Sequence, residues 1–191
     1  MAGLGSGTIG VWLDTTAAGS TTPTFACTGS DGLGDCFPVT VSTTTTNVTK
    51  LALADINADG KLDILTVSSL DGTVAVLLNT TAAGSATPAF ATAAVFSAGT
   101  NLTAIATADL NGDGKPDVAV AGPTGLSVLL NTTAAAATMP SFATALHVLP
   151  PPTDNPATIA VVTGTPSTEI AALNVSAGSL SVFVDVGDRA R

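Results

Sequence analysis

Short apolar runs recur along the chain, and each is bounded by residues that favour turns. Leu51–Ala54, Ile64–Val67 and Val118–Val120 are examples, and β-branched residues are common in the last two. Short apolar runs that end at glycine, asparagine, aspartate or proline are typical of buried strands rather than of helices. The pattern therefore predicts an all-β fold.

A second recurring piece defines the length of a repeat. Gly10–Ser20 matches Ala75–Ser85 and Val128–Ala135, and more loosely Val182–Asp185, and a Pro-x-Phe triplet follows each of the first three copies. Spacings of roughly 50 residues are typical of a β-propeller blade with four strands. The four strands of the second unit are predicted at Ala94–Phe96, Thr103–Ala108, Asp117–Ala121 and Gly125–Asn131.

These repeats predict a series of tandem four-stranded β-propeller-type blades. We expect a lone strand of an incomplete blade, a stapled insertion, two repeats with a polar loop, and a degenerate third repeat without one. Their predicted boundaries are residues 1–25, 26–38, 39–90, 91–142 and 143–191. The third repeat ends on its own fourth strand at Gly178–Val186, so nothing is left to complete the blade that Val11–Leu13 would join. The array is therefore expected to be partial, or completed in trans by another chain.

Each of the first two repeats contains a nine-residue loop between two predicted strands. Oxygen-bearing side chains occupy its first, third, fifth and ninth positions, and a glycine at the sixth position supplies the positive φ that a tight turn needs. With the lysine at the seventh position, the loop residues are Asp55, Asn57, Asp59, Lys61 and Asp63, and then Asp109, Asn111, Asp113, Lys115 and Asp117. The third repeat has a shorter connection without a carboxylate at Thr163–Thr168, so no third loop is expected.

The loop pattern suits a hard divalent cation, which takes about six to eight oxygens from carboxylates, amides and backbone carbonyls. Each loop can turn three carboxylates and one amide inward. The backbone carbonyl of Lys61 or Lys115 can complete the shell while the lysine head group stays in water, because a lysine side chain has no acceptor atom. The predicted cofactor is Ca²⁺ at two sites. The alternative is a pair of polar hairpin turns, since the same residues are common in turns.

The flanking residues distinguish these loops from other calcium loops that open with D-x-N-x-D-G. An EF-hand needs helices on both sides and a glutamate at its twelfth position, where this chain has Thr66 and Val120. A dockerin-type helical pair is excluded on the same grounds. A D-x-N-x-D-G-x-x-D loop between short strands, in tandem units, closely resembles the FG-GAP and VCBS-type repeats. Those repeats build the blades of integrin-α-like β-propellers and of many secreted bacterial proteins.

The resemblance implies a calcium site in each loop, formed by the side chains named above and by the carbonyls of Lys61 and Lys115. It also implies adhesion or extracellular recognition as the usual role. The Phe-Gly and Gly-Ala-Pro signatures of the family are not evident in this sequence. Their absence favours the looser bacterial type of repeat over integrin itself.

The charge of the chain agrees with cation-binding loops and argues against nucleic acid as a partner. The formal net charge is −9, and the chain has only 5 lysine and arginine residues, too few for a phosphate-binding track. No run of about 20 apolar residues predicts a membrane span. The single histidine, His147, lies in an ordinary strand pattern, and no Ser-His-Asp or Cys-His set can be assembled. We therefore expect no enzymatic activity.

Two further features favour a secreted, extracellular protein. Cys27 and Cys36 enclose a polar, glycine-rich interval, which favours a disulfide over free thiols. Asn-x-Ser/Thr triplets offer glycosylation sites, although a threonine-rich chain also produces such triplets by chance. Their asparagines are Asn47, Asn79, Asn101, Asn131 and Asn174. The start of the chain lacks the basic segment and apolar core of an intact signal peptide, so a mature or trimmed chain is expected.

Together these features predict an extracellular, calcium-stabilised β-repeat protein with a structural role. An unpaired edge strand invites pairing with another chain, so one alternative is self-assembly by strand or blade complementation into a fibre or surface layer. The other alternative is an adhesion or ligand-binding module that is a segment of a larger propeller. The expected partners are copies of this chain, other blades, or an extracellular protein or glycan ligand.

Overall fold

A computed structural model describes residues 8–11, 18–22, 39–42, 47–85, 87–123, 125–148, 156–163, 168–174 and 179–184. Within these residues the regular structure consists of strands, which confirms the all-β prediction. The strands are β1 Thr8–Val11, β2 Val39–Ser42, β3 Val48–Ala54, β4 Asp63–Ser68, β5 Thr73–Leu77, β6 Ala94–Ser97, β7 Ala104–Ala108, β8 Asp117–Gly122, β9 Gly125–Leu129, β10 Leu146–Val148, β11 Pro156–Thr163, β12 Thr168–Asn174 and β13 Ser179–Val184. The described residues include no helix that is long and apolar enough to cross a membrane.

The described strands form four antiparallel sheets that follow one another along the chain. The N-terminal sheet pairs β1 with β2, and the C-terminal sheet has the order β11-β12-β13. Between them lie the first four-stranded sheet, β3-β4-β5-β6, and the second four-stranded sheet, β7-β8-β9-β10. Neighbouring strands in each sheet are consecutive in sequence, so every sheet is a simple meander. Antiparallel four-stranded sheets are the architecture that the repeats predict.

Each four-stranded sheet ends one strand later than the corresponding sequence repeat. The sequence places the strand at Ala94–Phe96 in the second repeat, but β6 pairs with β5 of the first four-stranded sheet. Likewise β10 pairs with β9 instead of joining the third repeat. The cause is the Pro-x-Phe connection, which folds back as a hairpin and extends the ladder through the bridges Asn79–Phe90 and Asn131–Phe142. The strand that follows each hairpin therefore lies beside the strand that precedes it.

The N-terminal strand is paired, so the prediction of a lone strand is wrong. Thr8–Val11 runs antiparallel to Val39–Ser42, in the same relation as β5 to β6 and β9 to β10. The last two residues of the predicted joining strand Val11–Leu13 lie outside the described residues. Local sequence does not predict the pairing, because its two strands are separated by the whole cysteine-containing insertion.

The sheets pack face to face in chain order, with apolar side chains between them. β7 contacts β3 on one side and β11 on the other. Between the two four-stranded sheets, the buried core includes Leu65, Val67, Val76, Leu102, Val118, Val120 and Leu129. Fully burying a valine or leucine side chain contributes about 1.5–3 kcal/mol, so this interface is a major source of stability.

Strand β4 shows why these apolar runs do not alternate with polar residues. All six of its residues are buried. Ile64 packs towards Ile9 of the N-terminal sheet, whereas Leu65 and Val67 pack towards the second four-stranded sheet. A strand covered on both faces favours apolar side chains on both of them, which explains why Ile64, Leu65 and Val67 do not alternate with exposed polar residues. Thr66 and Ser68 are buried in the same strand.

Candidate cation-binding loops

The two polar loops occupy equivalent positions in neighbouring sheets. Loop 1 (residues 55–63) leads from β3 into β4, and loop 2 (residues 109–117) leads from β7 into β8. Each loop thus joins two strands, as the apolar flanks predict. The loops lie close together: residues of both, including Asp55 and Lys115, line one pocket of about 320 Å³.

The first aspartate of each loop holds the turn through backbone N–H groups. In loop 1, Asp55 Oδ1 accepts a hydrogen bond from Asp59 N at 3.0 Å, and Asp55 Oδ2 accepts one from Gly60 N at 2.8 Å. In loop 2, Asp109 accepts the equivalent bonds from the fifth and sixth loop residues at 3.1 and 2.8 Å. An ionised carboxylate has about four acceptor sites, so each aspartate retains acceptor capacity for a cation.

The fifth loop position also accepts a backbone hydrogen bond in both loops. Asp59 Oδ1 accepts from Lys61 N, and Asp113 Oδ1 accepts from Lys115 N, each at 2.9 Å. The Lys61 side chain is 40% exposed, and its Nζ lies 3.8 Å from Asp59 Oδ2. Ion pairs at this degree of exposure typically contribute only about 0–1 kcal/mol. Asp59 can therefore exchange this partner for a cation at little cost.

The ninth loop position is a buried carboxylate that ties the loop to the sheet. Asp63 is 0% exposed and accepts hydrogen bonds from Ile56 N at 2.8 Å and Asn79 N at 2.7 Å. Asp117 is equally buried and makes the equivalent bonds at 2.9 and 2.7 Å. Burial raises the pKa of both carboxyl groups above the ordinary value, against the lowering effect of these N–H bonds, and the other aspartates of each loop raise it further. A cation would offset this cost of buried charge.

The two loops differ in the environment of the residue at their third position. Asn57 is 5% exposed, and its Nδ2 donates a hydrogen bond to Ala137 O at 2.9 Å. That bond directs the other amide atom, Oδ1, to a buried position where no hydrogen-bond partner meets it. Asn111 is exposed instead, and its Oδ1 accepts a bond from Asp113 N at 3.0 Å. Loop 1 thus has a buried acceptor in need of a partner, and loop 2 does not.

A cation at either loop would need mixed oxygen ligands. Across the described parts of the chain, no three histidine, cysteine, aspartate or glutamate side chains form a cluster that could hold a metal ion by themselves. Each predicted ligand set contains three carboxylates, and in this structure those three do not meet as such a cluster. The predicted set relies in addition on an amide oxygen and a backbone carbonyl. Asn57 Oδ1, which has no hydrogen-bond partner, is an amide oxygen of the kind that such a set requires. Leaving a buried acceptor unpaired costs about 1–3 kcal/mol, and a bound cation would remove that cost.

The asparagine after the third strand of the second four-stranded sheet, Asn131, has a role that we did not predict from the sequence. Asn131 is 1% exposed, and its Nδ2 donates a hydrogen bond to Ile56 O of loop 1 at 2.9 Å. In the same region Ala136 N donates to Asn57 O at 2.6 Å. Residues 131–137, called here the crossing segment, therefore extend from the second four-stranded sheet to loop 1 of the first. The recurrence of the Asn-Thr-Thr motif is the sequence feature that could have indicated a structural role at this position.

The burial of Asn131 also bears on the predicted glycosylation sites. A glycan on Asn131 is incompatible with this packing, because its amide lies between the sheets. Asn47 and Asn101 are exposed, and Asn79 is half-buried. For Asn174 the structure describes the strand position but not the side chain.

Three other chemically reactive residues were singled out in the sequence. His147 lies in β10 as expected, and its Nδ1 is 2.7 Å from Ser127 Oγ. Cys27 and Cys36, the predicted disulfide pair, lie outside the described residues. Among the described residues, the loops therefore remain the candidate site.

The stacked antiparallel sheets and their paired acidic hairpin loops define a tandem β-repeat protein. Residues 55–120 match a family model described as FG-GAP-like repeat. The match begins at the first residue of loop 1, includes all of loop 2 and ends within β8. Residues 55–120 are therefore similar to an FG-GAP-type repeat, which confirms the resemblance identified in the sequence. A comparison with curated proteins found no match.

Proposed function

We propose that each loop binds one Ca²⁺ ion, and that the chain acts outside the cell as a calcium-stabilised β-repeat protein with a structural or adhesive role. The observation that carries the proposal is the buried Oδ1 of Asn57, which has no hydrogen-bond partner in a loop with three carboxylates. Loop 2 repeats the same backbone hydrogen bonds, so the proposal extends to both.

The proposed ligands are the residues that the sequence pattern selects. Backbone N–H groups orient the aspartates at the first, fifth and ninth positions of each loop, and the amide at the third position adds a neutral oxygen. The full sets are Asp55, Asn57, Asp59, Lys61 through its carbonyl and Asp63, and then Asp109, Asn111, Asp113, Lys115 through its carbonyl and Asp117. Ca²⁺ suits such sets better than Mg²⁺, because Mg²⁺ requires near-ideal octahedral geometry and gives up its water reluctantly.

The ion would supply positive charge to a loop that concentrates three carboxylates. In loop 1, Asp55 and Asp63 accept hydrogen bonds only from backbone N–H groups. The residues of the chain orient the ligands and fix the hairpin to the sheet. A ligand shell filled by the protein serves folding rather than catalysis, so we propose no enzymatic activity. Extracellular calcium modules typically bind with dissociation constants of about 10⁻⁴–10⁻³ M, which suits a stabilising role in a secreted protein.

Calorimetric titration and thermal unfolding of the whole chain test the proposal. Calcium should bind at two sites, and calcium at about 100 times the dissociation constant should stabilise the fold by about 2.7 kcal/mol per site relative to excess chelator. Asp59→Ala and Asp113→Ala should each remove one site, and should affect stability much less in chelator. Asp71→Asn removes a charge outside the loops and serves as the control. Equal melting temperatures in calcium and chelator would contradict the proposal.

A second candidate function, assembly with further blades, is favoured by the exposed edge of the first four-stranded sheet. β3 lies at the edge of that sheet, and Leu51 and Leu53 are 47% and 51% exposed. Their counterparts in β7, Ile105 and Thr107, are half-buried, and β7 contacts β3 of the preceding sheet. Light scattering and electron microscopy in calcium would show fibres or oligomers that Leu51→Ser weakens. A monodisperse particle under all conditions would exclude self-assembly.

A further inference from the structure

The crossing segment makes loop 1 a composite of two sheets. Three hydrogen bonds join them: Asn131 Nδ2 donates to Ile56 O at 2.9 Å, Ala136 N donates to Asn57 O at 2.6 Å, and Asn57 Nδ2 donates to Ala137 O at 2.9 Å. The last two involve both the backbone and the side chain of a proposed calcium ligand. The position of Asn57 is therefore set by residues about 80 positions away in the chain.

Among the described residues, the equivalent hairpin of the first four-stranded sheet makes no such bonds to a neighbouring sheet, so it serves as an internal control. Asn79 and Asn131 each accept a hydrogen bond from the threonine two residues later, Thr81 or Thr133, at 2.9 Å. The two asparagines differ in the direction of their Nδ2 groups. Asn79 Nδ2 donates to Leu62 O of its own sheet at 3.1 Å, whereas Asn131 Nδ2 donates to the neighbouring sheet.

Asn131 also connects the crossing segment to loop 2. Its backbone N–H donates to Asp117 Oδ1 at 2.7 Å, and Asp117 is the ninth residue of loop 2. One buried residue thus contacts a proposed ligand of loop 2 through its backbone and loop 1 through its side chain. A second contact region supports this proximity, because Thr133 and Ala135 line the pocket between the loops together with Asp55 and Lys115.

We propose that the two loops are energetically coupled cation sites, and that Asn131 and the crossing segment carry the coupling. This inference rests on the proposed calcium binding. In this proposal the crossing segment has two states, the docked one of the structure and one released from loop 1. A cation at loop 2 fixes Asp117 and thereby the docked state, which holds Asn57 in position at loop 1. Because coupling between two sites is reciprocal, a cation at loop 1 strengthens binding at loop 2 by the same factor.

Calorimetric titrations of single-site variants measure the coupling without changing the crossing segment. Asp113→Ala leaves loop 1 as the binding site, and Asp59→Ala leaves loop 2. The affinity of each remaining site should be lower than in the wild type by the same factor, about fivefold or more, which is the lower end of typical coupling. Unchanged affinities in both variants, or clearly unequal factors, would overturn the inference.

Asn131→Ala and its matched control Asn79→Ala locate the coupling. In the Asn131→Ala background, Asp113→Ala should leave the affinity of loop 1 unchanged, because the connection is already lost. In the Asn79→Ala background, the fivefold effect should persist. The inference is contradicted if the effect survives in Asn131→Ala. If Asn131→Ala does not fold, the affinities of the two single-site variants still decide whether the two sites are coupled.

Hydrogen exchange at the Ala136 amide provides a readout that is independent of affinity. Its N–H should exchange more slowly in calcium than in chelator, and Asp113→Ala should reduce that protection while loop 1 is kept saturated. In chelator, the wild type and Asp113→Ala should exchange alike. Absence of calcium binding in the wild type would refute the proposed function itself, whereas two independent sites would refute only the coupling.

Discussion

Loop 1 and loop 2 share a sequence pattern and a set of internal hydrogen bonds, yet their surroundings differ. Both first aspartates accept N–H bonds from the fifth and sixth residues, and both ninth aspartates are 0% exposed. At the third position, however, Asn57 is buried and Asn111 is exposed. The difference originates in the crossing segment, which covers loop 1 from the next sheet. A local motif thus determines the internal layout of a loop, and its neighbours determine how far it is pre-organised.

The largest expected effect compares the two asparagines that follow the third strands. Asn131→Ala should destabilise the fold in chelator by about 2–4 kcal/mol, because it leaves Ile56 O and Thr133 N buried without partners. Asn79→Ala should cost only about 1 kcal/mol, since its partner Leu62 O can bond to water. Urea unfolding at constant pH measures both. Similar losses in the two variants would show that the crossing bond adds no stability.

The next effect compares the third loop positions by calcium affinity. Asn57→Ala should weaken binding at loop 1 by about tenfold or more, because it removes a pre-positioned oxygen and the tie to Ala137. Asn111→Ala should weaken loop 2 by about threefold or less, since water can replace an exposed amide. Titrations in the Asp113→Ala and Asp59→Ala backgrounds isolate each site. The asymmetry between the loops is disproved if both substitutions cost the same.

A smaller effect concerns the fourth loop position, where the loops differ in residue type. Ala58 and Gly112 both adopt positive φ, +52° and +77°. Gly112→Ala should cost about 1 kcal/mol from the backbone alone, because a Cβ there meets no atom within 4 Å. Ala58→Gly should change stability by only a few tenths of a kcal/mol, since relief of strain offsets the greater freedom of the unfolded chain. Thermal unfolding in chelator separates the two, and a loss on Ala58→Gly as large as that on Gly112→Ala would contradict this reasoning.

The smallest effect concerns the lysines. Lys61→Ala frees Asp59 from the ion pair at 3.8 Å and should raise the calcium affinity of loop 1 by about twofold. Lys115→Ala is the matched substitution in loop 2 and should have the smaller effect. Both are measured by the same titrations at fixed ionic strength. A loss of affinity in Lys61→Ala would indicate that the lysine side chain helps to position the loop.

The strands, the loops and their hydrogen-bonding residues could be predicted from the sequence because each depends on local chemistry. Runs such as Ile64–Val67 are continuous because both faces of the strand are covered, and the loop residues recur at fixed positions. The pairing of β1 with β2 could not be predicted, since the long insertion separates the partners. The placement of β6 in the first four-stranded sheet could not be predicted either, because the repeat spacing gives the number of strands in a unit but not which strand begins a sheet.

The crossing segment shows a different limit of sequence reasoning. Asn131 and Asn79 lie in the same Asn-Thr-Thr motif, and local sequence gives no reason to assign them different roles. Only the packing of one sheet on the next places Asn131 beside Ile56 of the neighbouring sheet. Asn79 instead bonds to Leu62 O within its own sheet. The same packing excludes the glycan that the triplet at Asn131 would otherwise suggest.

A calcium titration followed by amide NMR tests the central claim most directly. The amides of Gly60 and Gly114 are suitable reporters, because each donates to the first aspartate of its loop, at 2.8 Å in both cases. We predict that both resonances shift on adding calcium, that Gly60 reaches half-saturation at the lower concentration, and that equal magnesium produces much smaller shifts. If neither amide responds to calcium, the loops are polar turns and not cation sites.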